Sequence, residues 1–222
     1  MSQGGLLPEF VSSARRAEGA LLLVTHRGDW CPFCCGQLVA LAADEGRFTQ
    51  AGAEIIAIGA DSRPRSDALA TTWGLPFPVL ADPDGGMALR SLDLWNATEH
   101  GGIAAIGALV FGADGREQWR ELGRDVADRP DHDRLLAVVS SLRLPPLGPL
   151  PAVELAAGEA GPEAFPAWAF DAYFNGARVA TAALRQRLVT EDDRREARRV
   201  SRLAARYLEA WSLWRTSSEA GS

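Results

Sequence analysis

One stretch constrains the fold of this chain more than any other: a short apolar strand that runs through a loop into Cys-x-x-Cys at the start of a helix. Ala20 to Thr25 is apolar, and Pro32 to Gln50 carries Leu38, Leu41, Ala42 and Phe48 at helical spacing. Pro32 marks the helix start, because proline lacks the N–H that a first turn leaves unpaired and its φ is already near-helical. Cys31 then falls at the N-cap, where free backbone N–H groups and the positive end of the helix dipole favour an anion. A thiolate is such an anion and is the reactive form of cysteine, so Cys31 is expected to ionise readily. Cys34 lies one turn on along the same face, within reach for a disulfide. In this strand–helix setting the pair reads as a redox dithiol.

The rest of the chain supplies a sheet around that stretch. A short helix is expected over Leu6 to Glu18, a buried parallel strand over Glu54 to Gly59, a helix over Ser66 to Trp73 and a strand over Phe77 to Leu80. Gly86 to Leu92 reads as a helical turn or two, Ala105 to Phe111 and Glu117 to Leu122 as a hairpin, and Asp131 to Leu142 as a helix. Strands joined through helices form a parallel set, and the hairpin adds antiparallel strands. The result is an α/β fold, a central mixed sheet with helices on both faces. It sets the Cys31 loop at the carboxyl end of the first strand, where open α/β sheets bind ligands. The expected division is residues 1–143 as this domain, 144–162 as a Pro/Gly-rich linker, and 163–222 as a helical hairpin and tail.

Composition narrows the function classes. A net charge of −6 argues against a nucleic-acid or anionic-membrane binder. No apolar run approaches membrane-spanning length, and Leu21 to Val24 is too short for a secretory leader. The three cysteines fall within five residues and cannot form a structural disulfide framework. A cytoplasmic location with a working dithiol is expected.

Asp29-Trp30-Cys31-Pro32-Phe33-Cys34 resembles the Trp-Cys-x-x-Cys of thioredoxin-fold proteins. The longer string from Thr25 to Cys34 is similar to the peroxiredoxin-like branch of the alkyl hydroperoxide reductase/thiol-specific antioxidant (AhpC/TSA) family. In that branch an apolar strand runs into Arg-Gly-x-Trp-Cys-Pro-x-Cys. Glu54 to Ile58, Leu75 to Pro83, and Ala108 to Phe111 followed by Asp114-Gly115 fit the same template, over residues 20 to 143. The resemblance implies a thioredoxin-like fold and a thiol-dependent peroxidase. A thiolate attacks a peroxide, a sulfenic acid forms, and the second cysteine condenses with it to a disulfide. An external dithiol reductant then restores the thiols. No organic cofactor and no metal is implied.

Cys31 is expected to attack and Cys34 to resolve, although the register of peroxiredoxins reverses these roles. Peroxiredoxins proper place Thr or Ser three residues before the attacking cysteine and hold the peroxide with a remote arginine. Here Gly28 or Cys31 fills the Thr slot, depending on register, and the motif assigns no such arginine, so peroxide reduction is expected to be slow. Thioredoxins set a cis-proline opposite the dithiol, where this chain has Ile106-Gly107. Two alternatives use the same residues: a thioredoxin-like protein disulfide reductase, and a redox sensor whose dithiol controls a partner at the C-terminal helices. Near the dithiol, Arg27 and His26 are candidate cations that depress a thiol pKa. Asp29 is a candidate acceptor for the resolving thiol's proton, and Trp30 a shield over the pair. Cys35 shares a face with Leu38 and Ala42 and reads as core.

Beyond the proline-rich segment Leu144 to Pro166, two helices are expected over Glu163 to Val189 and Glu191 to Thr216. In the second, Ala197, Val200, Ala204, Tyr207, Trp211 and Trp214 make a seam, and Arg195, Arg199, Arg202 and Arg206 a solvated face. In the first, Ala169, Ala172, Tyr173, Gly176, Ala180, Ala183 and Leu184 form a small-residue stripe for a partner helix. Trp168, Phe170, Phe174 and the Trp211/Trp214 end would leave aromatic surface exposed, to be covered either by the α/β domain or by a second hairpin. Because the linker separates the two parts, a homodimer through these helices is expected.

Overall fold

The computed structural model describes residues 6–83 and 86–220. The first strand, β1 (Ala20–His26), is buried along its whole length because sheet lies on both sides of it. Helix α2 (Pro32–Gln50) follows, then β2 (Ala53–Gly59), helix α3 (Arg63–Thr72), β3 (Val79–Ala81) and the short helix α4 (Met87–Ser91). Two-residue strands β4 (Trp95–Asn96) and β5 (Ile103–Ala104) pair with each other. The antiparallel pair β6 (Gly107–Phe111) and β7 (Glu117–Leu122) leads into α5 (His132–Ser141). The main sheet runs β3-β2-β1-β6-β7, with β1, β2 and β3 mutually parallel and β6 antiparallel to β1. This is the mixed, helix-covered α/β sheet expected from the sequence.

Side chains alternate across β1. Leu22 and Val24 face a core shared with α2, α3 and α5, whereas Leu21 and Leu23 face α4 and a single-turn helix, α1 (Glu9–Ser12). The N-terminal helix is far shorter than Leu6 to Glu18. Buried Glu54 is the reason: it accepts from the Arg15 guanidinium at 3.0 Å and the Arg16 amide at 2.8 Å, which draws the chain out of helical geometry. Helix α3 begins three residues earlier than expected, since Pro64 suits a first helical turn.

Helices α6 (Phe170–Arg187) and α7 (Glu191–Ala220) form the expected antiparallel hairpin, but the hairpin is not held apart from the sheet domain. Residues 144–166 have no regular secondary structure, yet their backbone is bonded across the domain. Leu147 N–H donates to the Thr49 carbonyl (2.9 Å), Glu159 N–H to that of Pro64 (3.0 Å) and Phe165 N–H to that of Asp29 (2.9 Å). Helix α7 therefore lies on α2. Phe170 and Phe174, expected to be exposed, are fully buried, together with Ala204, Tyr207 and nearly all of Trp211. The α6 stripe was misplaced as well: Ala172, Gly176, Ala180 and Ala183 face solvent, while Phe170, Phe174 and half-buried Ala177 face inward. Arg199 and Arg206 leave the solvated face assigned to them and pair with Asp128 and Asp44 of the domain. No helix among the described residues is long and apolar enough to cross a membrane.

Candidate active site

The chain leaves β1 through Gly28, whose φ of +144 suits glycine and whose Cβ would come 2.4 Å from the Trp30 indole nitrogen. Cys31 is the N-cap of α2, with extended backbone (φ −89, ψ 108), and its sulfur accepts the Cys34 amide at 3.4 Å. Both thiols are reduced and 0% exposed.

Each sulfur meets a backbone amide and the Arg129 guanidinium, and both contacts are shorter at Cys34. The Arg27 amide donates to its sulfur at 3.2 Å. The guanidinium of Arg129, in the loop between β7 and α5, donates at 3.1 Å to Cys34 and 3.7 Å to Cys31. Arg129 is 1% exposed and fixed at both ends of its fork, to the Val126 carbonyl (3.0 Å) and the Gln37 side-chain oxygen (2.8 Å). Burial alone raises the Cys34 thiol, but the hydrogen bond from the Cys31 thiol, the Arg129 charge and the Arg27 amide outweigh it and hold it down at about 5. Cys31 is pushed upward, first by that same hydrogen bond, which uses its proton, and then by burial. Both the shorter contacts and the direction of the two shifts favour the negative charge at Cys34 and the proton at Cys31.

The AhpC/TSA family profile matches residues 9–116, the segment that carries this site and most of the sheet. Over those residues the chain is similar to the AhpC/TSA family. The matched segment includes Cys31 and Cys34. Among solved structures the chain is similar to peroxidoxin BcpB from Mycobacterium tuberculosis, at TM-score 0.54 and 15% identity over 64% of this chain and 97% of that one. Peroxiredoxin 6 of Arenicola marina, solved as a mutant, matches at TM-score 0.54 and 19% identity over 64% and 74% of the two chains. Mycobacterium tuberculosis AhpC matches at 0.53 and 16% over 64% and 93%. At these identities the likeness is one of fold. No curated protein matches by sequence.

The other residues singled out in the sheet domain divide clearly. His26 is the last residue of β1, 1% exposed, and lowered to about 4 by burial and then by the Arg129 charge. It is neutral at pH 7 and is not the cation expected beside the thiol. Arg27 serves through its amide; its guanidinium pairs with Glu99 and lies 5.3 Å over the Trp30 ring. Trp30 is half-buried and packs on His100 at 4.8 Å. Asp29 is buried with its carboxylate on the Gly161 amide (2.7 Å), and its own amide donates to Asp61 (3.1 Å). Burial, then the Asp29 charge, raise Asp61 to about 6. Cys35 turns its thiol to the Asp29 carbonyl at 3.7 Å, and burial raises it far above the ordinary thiol value. Replacing Cys35 with alanine is expected to leave peroxide turnover within about twofold, as a steady-state assay would show.

Sequence reasoning missed Arg129, Gln37 and the polar end of Tyr207. Gln37 was within reach of the same periodicity, one turn beyond Cys34 on the α2 face. Arg129 has no local signal, because only the sheet topology brings the β7–α5 loop over the start of α2.

Proposed function

We propose that the protein reduces hydroperoxides with Cys34 as attacking thiolate and Cys31 as resolving thiol, the reverse of the order expected from the N-cap position. The reading rests on the Arg129 guanidinium, which lies closer to Cys34 than to Cys31. The Cys34 thiolate attacks the terminal peroxide oxygen; the S–O bond forms, the O–O bond breaks, and an alkoxide or hydroxide leaves. Arg129 stabilises the charge as it moves from sulfur to oxygen. Cys31 occupies the slot three residues before the attacker and, with its proton, supplies the hydrogen bond that a hydroxyl would give there. It then condenses with the Cys34 sulfenic acid to a disulfide, releasing water, and an external dithiol resets the pair.

Burial of both sulfurs favours a small peroxide over a protein disulfide as oxidant and, by the same argument, a small dithiol over a protein one as reductant. A cytoplasmic location is supported by the three cysteines' falling within five residues, which leaves none to build a structural disulfide framework. Pairing of two copies through the C-terminal helices is supported by exposed Val179, Leu184 and Val189 on or beside α6.

The single-cysteine variants test the roles. Cys34→Ser is expected to abolish sulfenate formation, and Cys31→Ser to leave a sulfenate on Cys34 that a dimedone-type reagent traps for mass spectrometry. A sulfenate on Cys31 in the Cys34→Ser protein would reverse the assignment. If neither thiol forms one while a small disulfide is turned over, the reductase reading replaces it.

A further inference from the structure

Helix α7 does more than cover the dithiol. It delivers the side chain of Tyr207, 0% exposed, into the core cluster that holds Cys31 and Cys34. The placement is built from both sides. Gly36, two residues past Cys34, leaves the space for the ring: a Cβ there would lie 2.4 Å from it. Phe33 and Phe174 pack edge-on to the ring at 6.4 and 5.2 Å. Two turns earlier on α7, Arg199 donates to the Arg129 carbonyl, so one helix fixes both the tyrosine and the arginine segment. Yet the Tyr207 hydroxyl has no hydrogen-bond partner, among the described residues, to either sulfur or to any other group. Leaving a buried hydroxyl unpaired costs roughly 1–3 kcal/mol, and a well-packed ring does not need it. Its electrostatic neighbours are Arg129, Cys34, Cys31 and Arg199.

We propose that Tyr207 is a further catalytic residue: its hydroxyl hydrogen-bonds the departing peroxide oxygen and carries the proton of the reaction. This rests on the peroxidase reading above. As the Cys34 thiolate takes the terminal oxygen, the O–O electron pair goes to the other oxygen, which receives the Tyr207 proton and leaves as alcohol or water. The phenolate then takes the Cys31 proton. The Cys31 thiolate attacks the Cys34 sulfenic sulfur, forming the S–S bond and expelling hydroxide. Atoms and charge balance: one thiolate, one thiol and one hydroperoxide give a disulfide, an alcohol and hydroxide. The hydrogen bond to the Cys34 thiolate, the first cause that raises the Cys31 thiol, is gone once Cys34 is a sulfenic acid, while burial keeps the tyrosine raised. Both effects favour proton transfer from Cys31 to the phenolate.

Tyr207→Phe removes only the hydroxyl and keeps the ring packing. Sulfenate formation with hydrogen peroxide or cumene hydroperoxide, followed by stopped flow, should slow by on the order of 10²-fold. The Cys34 sulfenate should then persist long enough to be trapped. The thiolate titration, read by ultraviolet absorbance, should not move. Unchanged kinetics in the variant, with the wild type active, would overturn the role of Tyr207 alone. A slower rate accompanied by a shifted Cys34 titration would overturn it too, since the residue would then act through the thiolate. A wild-type protein that forms no sulfenate with either peroxide removes the peroxidase reading and this proposal together.

Discussion

Arg129→Met is expected to lift the Cys34 titration from about 5 to above neutrality and to slow peroxide reduction at pH 7 by roughly 10²–10³-fold. Two effects act in the same direction. Without the guanidinium, burial of the sulfur regains the upper hand and the thiolate fraction falls. The oxygen leaving the peroxide also loses its preorganised donor, which is typically worth about 2.7–4 kcal/mol. Arg129→Lys separates them. A lysine restores charge, and with it much of the thiolate, but not the fork that reaches both sulfurs and Gln37, so its rate should recover less than its titration. In the wild type the rate should fall only as pH drops through about 5. The same shift stabilises the folded chain. Its contribution is complete above pH 9.0, where a free thiol is also ionised, and is lost as pH falls through about 5. Absorbance titration and single-turnover kinetics on the variants check all of this. An unmoved titration in Arg129→Met would mean that the Cys31 thiol and the Arg27 amide suffice.

The N-cap cysteine was legible because its causes are local: Pro32 behind it, an apolar strand ahead of it, and helical spacing after it. Buried strands such as Ala53–Gly59 were legible for the same reason. Local reasoning assigned the thiolate to the residue at the helix end, whereas the guanidinium favours the one a turn on. The dipole and free amides act on the whole first turn, and what separates the two sulfurs is a guanidinium from 95 residues away. All 23 basic residues of the chain are arginine, so composition does not mark Arg129 out. The expectation of slow peroxide reduction drew on that missing arginine, and the structure supplies one. The proline-rich segment shows a different limit. Its composition does prevent helix and strand, but irregular backbone still carries donors and acceptors. The amides of Leu147, Glu159 and Phe165 spend theirs on the sheet domain.

Ending the chain at residue 162 is expected to leave an aggregating or largely unfolded protein, not the independent domain that a spacer would permit. The truncation removes Phe170, Phe174, Tyr207 and Trp211, which are 0–4% exposed, and uncovers Phe33 and Trp73, against which they pack. Burying a large side chain is worth about 1.5–3 kcal/mol, so these four account for roughly 6–12 kcal/mol. That matches the whole stability of an ordinary domain, about 5–15 kcal/mol. Polar consequences add to it. Asp44, whose carboxyl is held low against burial by His132 and Arg206, loses the arginine, and Asp128 loses Arg199. A milder change in the intact chain gives a graded reading: Trp211→Ala, which opens the contact with Trp73 and Phe170, should cost about 3–5 kcal/mol. Soluble yield, circular dichroism and thermal unfolding decide the matter. A truncated protein that sediments as a folded monomer with the melting temperature of the full chain would show that the hairpin is an accessory. If instead the truncation unfolds the domain, the hairpin is part of the core that keeps Cys31 and Cys34 away from water.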